Sequence, residues 1–466
     1  MNHCNPGDFG ANFLASPSRR EFMRLGAHGA AATALWLTLG GQARAAADVS
    51  GYKALVCLYL VGGNNGFNML VPTTSAGYSV YAASRSNLAI PQASLLALNG
   101  TASDGYAYGL HPSMAATQAL FNAGHVAILG NVGTLVQPTT LAQAKAESVT
   151  LPRQLFSHLD QSTEWMTSLP DQSTRTGWAG RMADVLVQQG FAPKLAVNLT
   201  LDGSNYWQEG NVTQPYPVSA GGAPTLKVTE DPYYRDGARQ QAAQALIALA
   251  RADANLMTAE FANLLVSSAN KVAIVNNALT AAGTLSTPFP AIANDGDLGQ
   301  QLNQVALTIK AHAALDARQI FFVQMGGFDT HNDELATQAS LLNIVSSNLN
   351  AFSNAMNEIG MQNNVTLFTM SEFGRSLGSN GNGSDHAWGS HHLIMGGAVH
   401  GGYYGRMPDL ALDGADDVGD GRVLPSTSTD QYGATLARWF GIDDAQLDTV
   451  FPNLAHFPTR TLGFLG

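Results

Sequence analysis

Lys53-Ala-Leu-Val-Cys-Leu-Tyr-Leu-Val61 runs straight into Gly62-Gly63-Asn64-Asn65-Gly66-Phe67-Asn68. An unbroken apolar run of strand length, closed by glycines, is the pattern of a central strand covered on both faces. Similar runs recur at 126–132, 194–199, 319–325, 365–370 and 392–395, several of them ending in Gly or polar turn residues. Helical stretches fall between them. The clearest covers 333–359, where Leu335, Leu342, Leu349 and Met356 repeat every seven residues with Val345 and Phe352 interleaved. That spacing lays one apolar stripe on a helix. Strand 319–325, this helix and strand 365–370 therefore predict a right-handed crossover between parallel strands. Residues 236–283 read as one or two long Ala-rich helices, and 202–235 and 283–298 as surface loops rich in Gly, Pro, Asn and Ser. The fold expected is α/β, with a largely parallel central sheet flanked by helices on both faces, in a single domain over 48–466.

Composition narrows the function classes. Of the 466 residues, 45% are hydrophobic and only 12% charged, about half the usual globular share. The formal net charge of −11 argues against a basic surface for a phosphate backbone, so no nucleic-acid partner is expected. Two cysteines exclude both a disulfide scaffold and a thiolate zinc cluster.

The first 47 residues read as an address. Ser18-Arg19-Arg20-Glu21-Phe22-Met23-Arg24 precedes a weakly apolar run, Leu25 to Leu39, and then Ala43-Arg44-Ala45-Ala46-Ala47. A charged start, a short apolar centre and a small-x-small end make an export signal, and the paired arginines mark the twin-arginine type. The apolar stretch is too short and too rich in Gly and Ala for a permanent membrane span. A periplasmic or secreted location follows. Cleavage after Ala45 or Ala47 removes four basic residues (Arg19, Arg20, Arg24, Arg44) and two acidic ones (Asp8, Glu21), leaving −13. It also removes Cys4, so the mature chain keeps only Cys57.

Ligands bind at the carboxyl ends of strands in sheets of this class. Strand 319–325 is followed by Gly326-Gly327-Phe328-Asp329-Thr330-His331-Asn332-Asp333, and strand 365–370 by Ser371-Glu372-Phe373-Gly374-Arg375. A Gly/Asn loop then carries Asp385-His386-Ala387-Trp388-Gly389-Ser390-His391-His392. Several strand ends thus deliver carboxylates and imidazoles to one rim. Asp, Glu and neutral His suit zinc, manganese, magnesium or calcium. The candidates are Asp329, His331, Glu372, Asp385, His386 and His391; alternation on a strand allows at most one of His391 and His392 to point into the site. Each has a structural alternative. Glu372 and Arg375 can form an ion pair, Asp385 can order its loop by fixing the His386 tautomer, and Asn64 and Asn65 can be turn residues in a left-handed backbone.

GGNNGFNMLVP (62–72), GGFDTHND (326–333), SEFGRSLGSNGNGSDHAWGSHHLIMGGAVHGGYYG (371–405) and GRVLPSTSTDQYGATLARWFG (421–441) resemble the twin-arginine-exported bacterial family known as domain of unknown function 1501. FSHLDQSTEW (156–165) and GWAGRMAD (177–184) extend the resemblance over nearly the whole mature chain. It implies an alkaline phosphatase/sulfatase-like fold. That superfamily's first strand ends in a metal-binding Asp, a place that falls here at Asn65 or Asn64, a weaker neutral ligand. Its later Ser-Asp-His-Gly appears as Ser371-Glu372-Phe373-Gly374, which replaces the His by a residue that binds no metal. The sulfatase nucleophile pattern Cys/Ser-x-Pro-x-Arg is absent from the mature chain. Ser157, beside His158 at a predicted helix start, is the candidate nucleophile; its structural alternative is a helix cap.

The resemblance implies a hydrolase of phosphate or sulfate esters, acting on a small molecule or a glycan, and these residues supply its parts. A divalent ion on Asp329, His331 and Glu372 would polarise the ester. Arg375 would clamp an oxyanion, and His386 or His158 would act as general acid or base. The competing reading is a non-catalytic cell-envelope binding or assembly protein on a degenerate hydrolase fold, favoured by Asn65 and Phe373.

Overall fold

The computed structural model describes residues 50–219, 222, 237–292 and 296–466. The export signal expected over 1–47 lies outside them, as does most of 220–236. Twelve strands are present among the described residues: β1 (Lys53–Leu60), β2 (Leu70–Pro72), β3 (Leu96–Ala97), β4 (Tyr108–Leu110), β5 (Val126–Gly133), β6 (Asn198–Thr200), β7 (Tyr216–Pro217), β8 (Arg318–Met325), β9 (Val365–Met370), β10 (Ser390–Met395), β11 (Gly402–Tyr404) and β12 (Thr427–Ser428). The helices are α1 (Gly66–Met69), α2 (Ser75–Arg85), α3 (Ala115–Asn122), α4 (Leu141–Lys145), α5 (His158–Thr167), α6 (Trp178–Gln188), α7 (Gly237–Arg251), α8 (Leu256–Ala282), α9 (Leu298–Lys310), α10 (Glu334–Glu358), α11 (Thr429–Phe440) and α12 (Leu447–Val450).

The main sheet runs β11-β5-β10-β9-β1-β8-β6-β7, with β12 also on β5. Strand β1 pairs in parallel with β8 on one side and β9 on the other. Of the paired strands only β10 is reversed, lying antiparallel to both β5 and β9. The sheet is largely parallel, as its apolar strands predict, and β1 sits between the two strands that α10 connects. A second, antiparallel sheet of β2, β4 and β3 stands beside it.

The side chains of β1 divide between two cores. Ala54, Val56, Leu58 and Leu60 pack with Leu342, Val345, Leu349 and Phe352 of α10 and with Leu302 and Val305 of α9. Leu55, Cys57 and Tyr59 pack on the other face with Trp178 and Met182 of α6 and with Tyr432 and Leu436 of α11. Alternation along one strand thus supplies apolar surface to helices on both sides. The predicted stripe on α10 holds except at its first member. Leu335 is 37% exposed, because the first turn lies past the edge of the core and presents Glu334 inward instead.

Of the stretch expected to be helical, the described residues form two helices, α7 and α8. The strand expected over 194–199 pairs only at Asn198–Thr200. No described helix is long and apolar enough to cross a membrane.

Candidate metal centre

Strand ends and one helix start build the site. Past β1 the backbone turns at Gly62 and Gly63, with φ of 120° and 86°. A side chain on Gly62 would overlap the main chain of Phe328 and Asp329, so only glycine lets these two strand ends close on each other. Asn64 and Asn65 do not take the left-handed backbone expected of them; the glycines do.

Asp329 is the hub. Its Oδ1 lies 3.0 Å from His331 Nε2 and 3.2 Å from His386 Nε2, and its Oδ2 lies 3.5 Å from His158 Nε2. The two Nε2 atoms of His331 and His386 are 2.9 Å apart. Each ring is held from behind. His158 Nδ1 is 2.9 Å from the buried Glu372 Oε1, His331 Nδ1 is 3.2 Å from Asp385 Oδ1, and His386 Nδ1 is 2.8 Å from the Phe156 carbonyl oxygen. All three partners are acceptors, so Nδ1 carries the proton in each ring and Nε2 faces Asp329. Phe156 brings its carbonyl there from a left-handed backbone, φ 72°. Glu372 is itself fixed by the Gly62 N–H at 2.7 Å. Phe373 closes one wall, stacking on His386 with ring centres 4.6 Å apart.

Neutral rings would aim three lone pairs at one another and at a carboxylate, an arrangement that needs protons or a cation. Ligand atoms about 2 Å from a tetrahedral ion stand roughly 3.3 Å apart, and Asp329 lies 3.2 Å from His386 Nε2 through one oxygen and 3.5 Å from His158 Nε2 through the other. His158, Asp329 and His386 bring one ligand atom each within 4.8 Å of the others. Nδ1 anchors of this kind are how proteins orient metal-binding imidazoles. The donor set fits a divalent ion.

The electrostatics agree. Burial opposes ionisation of Asp329, but the Arg375 guanidinium at 2.8 Å overrides it and holds the carboxyl below its usual range. The Glu372 hydrogen bond raises the His158 pKa, whereas burial lowers that of His386.

Not every predicted ligand reaches the hub. Glu372 and Asp385 hold imidazoles in place instead of offering oxygen to an ion. Asn65 caps α1, accepting from Asn68 N, while its amide donates to Glu334 Oε1. His391 is buried, accepts from Asn131 N at 3.2 Å and packs edge-on against Phe67; burial takes its pKa down to about 3. His392 lies between Trp165 and Tyr432, so neither member of the pair enters the site. Ser157 takes its structural alternative. It caps α5, donating to Asp160 Oδ2 at 2.6 Å, while the next residue, His158, turns into the site. Arg375 is fully buried, its donors on Asp329, the Gly62 and Ser384 carbonyls and Ser384 Oγ. That makes it the counter-charge of Asp329, with no fork turned outward for an oxyanion.

Sequence reading missed the layer beneath. Arg85 and Glu334, both wholly buried, form an ion pair of 2.7 Å. Arg85 also binds Asn68 Oδ1 and the carbonyls of Ser376 and Leu377, and Glu334 takes the Ser384 hydroxyl at 2.5 Å. The chain Arg85–Glu334–Ser384–Arg375–Asp329 therefore braces the hub from inside. Glu334 directly follows the GGFDTHND stretch, but Arg85 stands in no motif.

The family described as "Protein of unknown function (DUF1501)" matches residues 52–449. No curated protein sequence matches. Among solved structures, the soluble domain of lipooligosaccharide phosphoethanolamine transferase A from Neisseria meningitidis is similar at 9% identity and a TM-score of 0.34, over 85% of this chain and 90% of that one. Ps i-CgsB is similar at 9% and 0.32, over 87% and 77%. The periplasmic domain of EcEptC from Escherichia coli, solved with Zn, is similar at 10% and 0.29, over 75% and 74%. Likeness at this level carries no argument about activity.

Proposed function

The chain belongs to the DUF1501 family of unknown function, and from its own centre we propose a metal-dependent hydrolase of phosphate or sulfate esters. The observation that carries the reading is the convergence of three back-anchored imidazoles on the Asp329 carboxylate. His158, Asp329 and His386 would hold the ion. A bound divalent ion supplies Lewis acidity and a water that ionises near neutral pH. His331, with Nδ1 on Asp385 and 38% of its side chain exposed, carries a proton at Nε2 to or from the ester oxygen. Arg375 keeps Asp329 ionised, and Phe373 shields one side of the site from water. We place the enzyme outside the cytoplasm, delivered by the twin-arginine signal at 1–47, with 48–466 as one alkaline phosphatase/sulfatase-like domain and a small-molecule or glycan ester as substrate.

One observation favours the non-catalytic reading. Three hydroxyls on the elements that build the centre are committed: Ser157 to Asp160, Ser371 to the Leu60 carbonyl and Ser384 to Glu334. A catalyst built this way uses water as its nucleophile; a binding protein needs none. Elemental analysis, followed by aryl phosphate, phosphodiester and sulfate assays with and without added zinc, manganese and calcium, separates the two. We expect about one ion per chain, lost in the Asp329→Ala, His386→Ala double variant, and turnover of at least one ester class. Unchanged metal in that variant refutes the centre. Metal without turnover leaves binding as the function.

A further inference from the structure

Helices α7 and α8 form a hairpin with one apolar side that is bare over α7 and the amino half of α8, in line with the face that α8 turns to the core further on. No residue of α7 is buried, and α8 buries only Ala262, Val272, Val275 and Ala278. Val272 and Val275 anchor the carboxyl half of α8 in the main core. Its amino half projects with α7. Leu246 and Leu249 on α7 are 66% and 70% exposed, and Met257, Phe261 and Leu264 on α8 are 79%, 64% and 61% exposed. Helical phase shows that these are one surface. Ala243, Ile247 and Ala250 are the less exposed side of α7, and Thr258, Ala262 and Leu265 that of α8, so these rows face each other. A step of about 100° per residue then sets the five large side chains on the same flank of each helix. In an antiparallel pair the two flanks form one broad side.

We infer that this side is the contact between two copies of the chain. A 15-residue helix is marginal in water with only a narrow packed row, here Ala243, Ile247 and Ala250 against α8, so cover over its bare leucines would stabilise α7. The five side chains with their flanking alanines offer on the order of 600 Å² per copy, roughly 1,200 Å² for a pair, enough for a specific interface. The charges permit self-association. The hairpin holds Arg239, Arg251 and Lys271 against Asp253 and Glu260, a near balance within a chain of net charge −11. So few cations do not suit an anionic lipid surface. A two-fold axis stacks two such two-helix layers into a four-helix bundle, with the same patch used on both sides.

Sedimentation of the mature chain between about 1 and 100 µM tests this. We expect a concentration-dependent dimer. Phe261→Asp should weaken it at least tenfold, and so should Met257→Lys, whose exposed side chain contributes little to the monomer's own packing. Leu256→Asp, about 100° round the helix from Met257 and outside the proposed contact, should weaken association far less than Met257→Lys. Far-UV circular dichroism checks that each variant keeps its helices. A monomer across the whole range overturns the inference, as do flank variants that dimerise like the parent. A monomer that instead binds lipid vesicles assigns the face to a membrane surface.

Discussion

Replacing Glu372 by Gln removes one charge and little volume from behind His158. Glu372 is 1% exposed and accepts from both Gly62 N and His158 Nδ1. The amide keeps one acceptor, so ring orientation survives while the negative charge that makes the imidazole a stronger donor is lost. Second-shell losses of this kind typically weaken metal binding about 10–100-fold, or roughly 1.4–2.8 kcal/mol. Burial decides where in that range an anchor falls. Water barely screens Glu372, so we expect the upper half of the range for Glu372→Gln. The Asp385 side chain, 56% exposed and screened, stands behind His331, which this account makes a proton carrier and not a ligand, so Asp385→Asn should leave zinc affinity near the parent's. Competitive titration of zinc against a chelator reads both values. Equal affinities for the parent and Glu372→Gln would refute the account of the centre, since they would leave His158 without a role in holding the ion.

Two further outcomes follow from buried charge. Arg85→Ala strands Glu334 in a dry interior and should cost about 3–5 kcal/mol, read by urea denaturation, with much of the loss recovered in Arg85→Met with Glu334→Leu; a loss below about 1 kcal/mol would show that water reaches the pair. Burial pushes the Glu164 carboxyl up to about 8. The folded state then holds a proton that the unfolded chain releases near its ordinary value of 4.5. This group therefore leaves stability intact below that value and lowers it as pH rises toward 8, on the order of 1 kcal/mol per pH unit. Glu164→Gln should flatten that slope in melting curves taken from pH 5 to 8, and an unaltered slope would place Glu164 in contact with solvent.

How much was legible in sequence depended on how local the cause was. The apolar runs of β1, β8 and β9 and the heptad spacing of α10 carry their own structure, because burial on both faces or on one stripe is written in consecutive residues. Asp329, His331 and His386 were legible as strand-end and loop residues rich in ligand atoms. Their division of labour with Glu372 and Asp385 was not, since a carboxylate that binds an ion and one that orients an imidazole look alike in a string. His391 misled for the same reason: a polar letter on a strand says nothing of the Asn131 main-chain N–H that satisfies it. The Arg85–Glu334 brace joins residues 249 positions apart and left no periodic trace.

Strand β1 is made early and paired late. Its neighbours begin at Arg318 and Val365, so the hydrogen-bonding edges of its eight residues stay open while more than 250 further residues are added. At roughly 5–20 residues per second, ribosomal synthesis leaves that apolar segment unpartnered for about 13–50 s. A nascent chain in that state is a target for holdase chaperones and for aggregation alike. Yield in a heterologous host should therefore depend on chaperone supply more than on the stability of the finished protein.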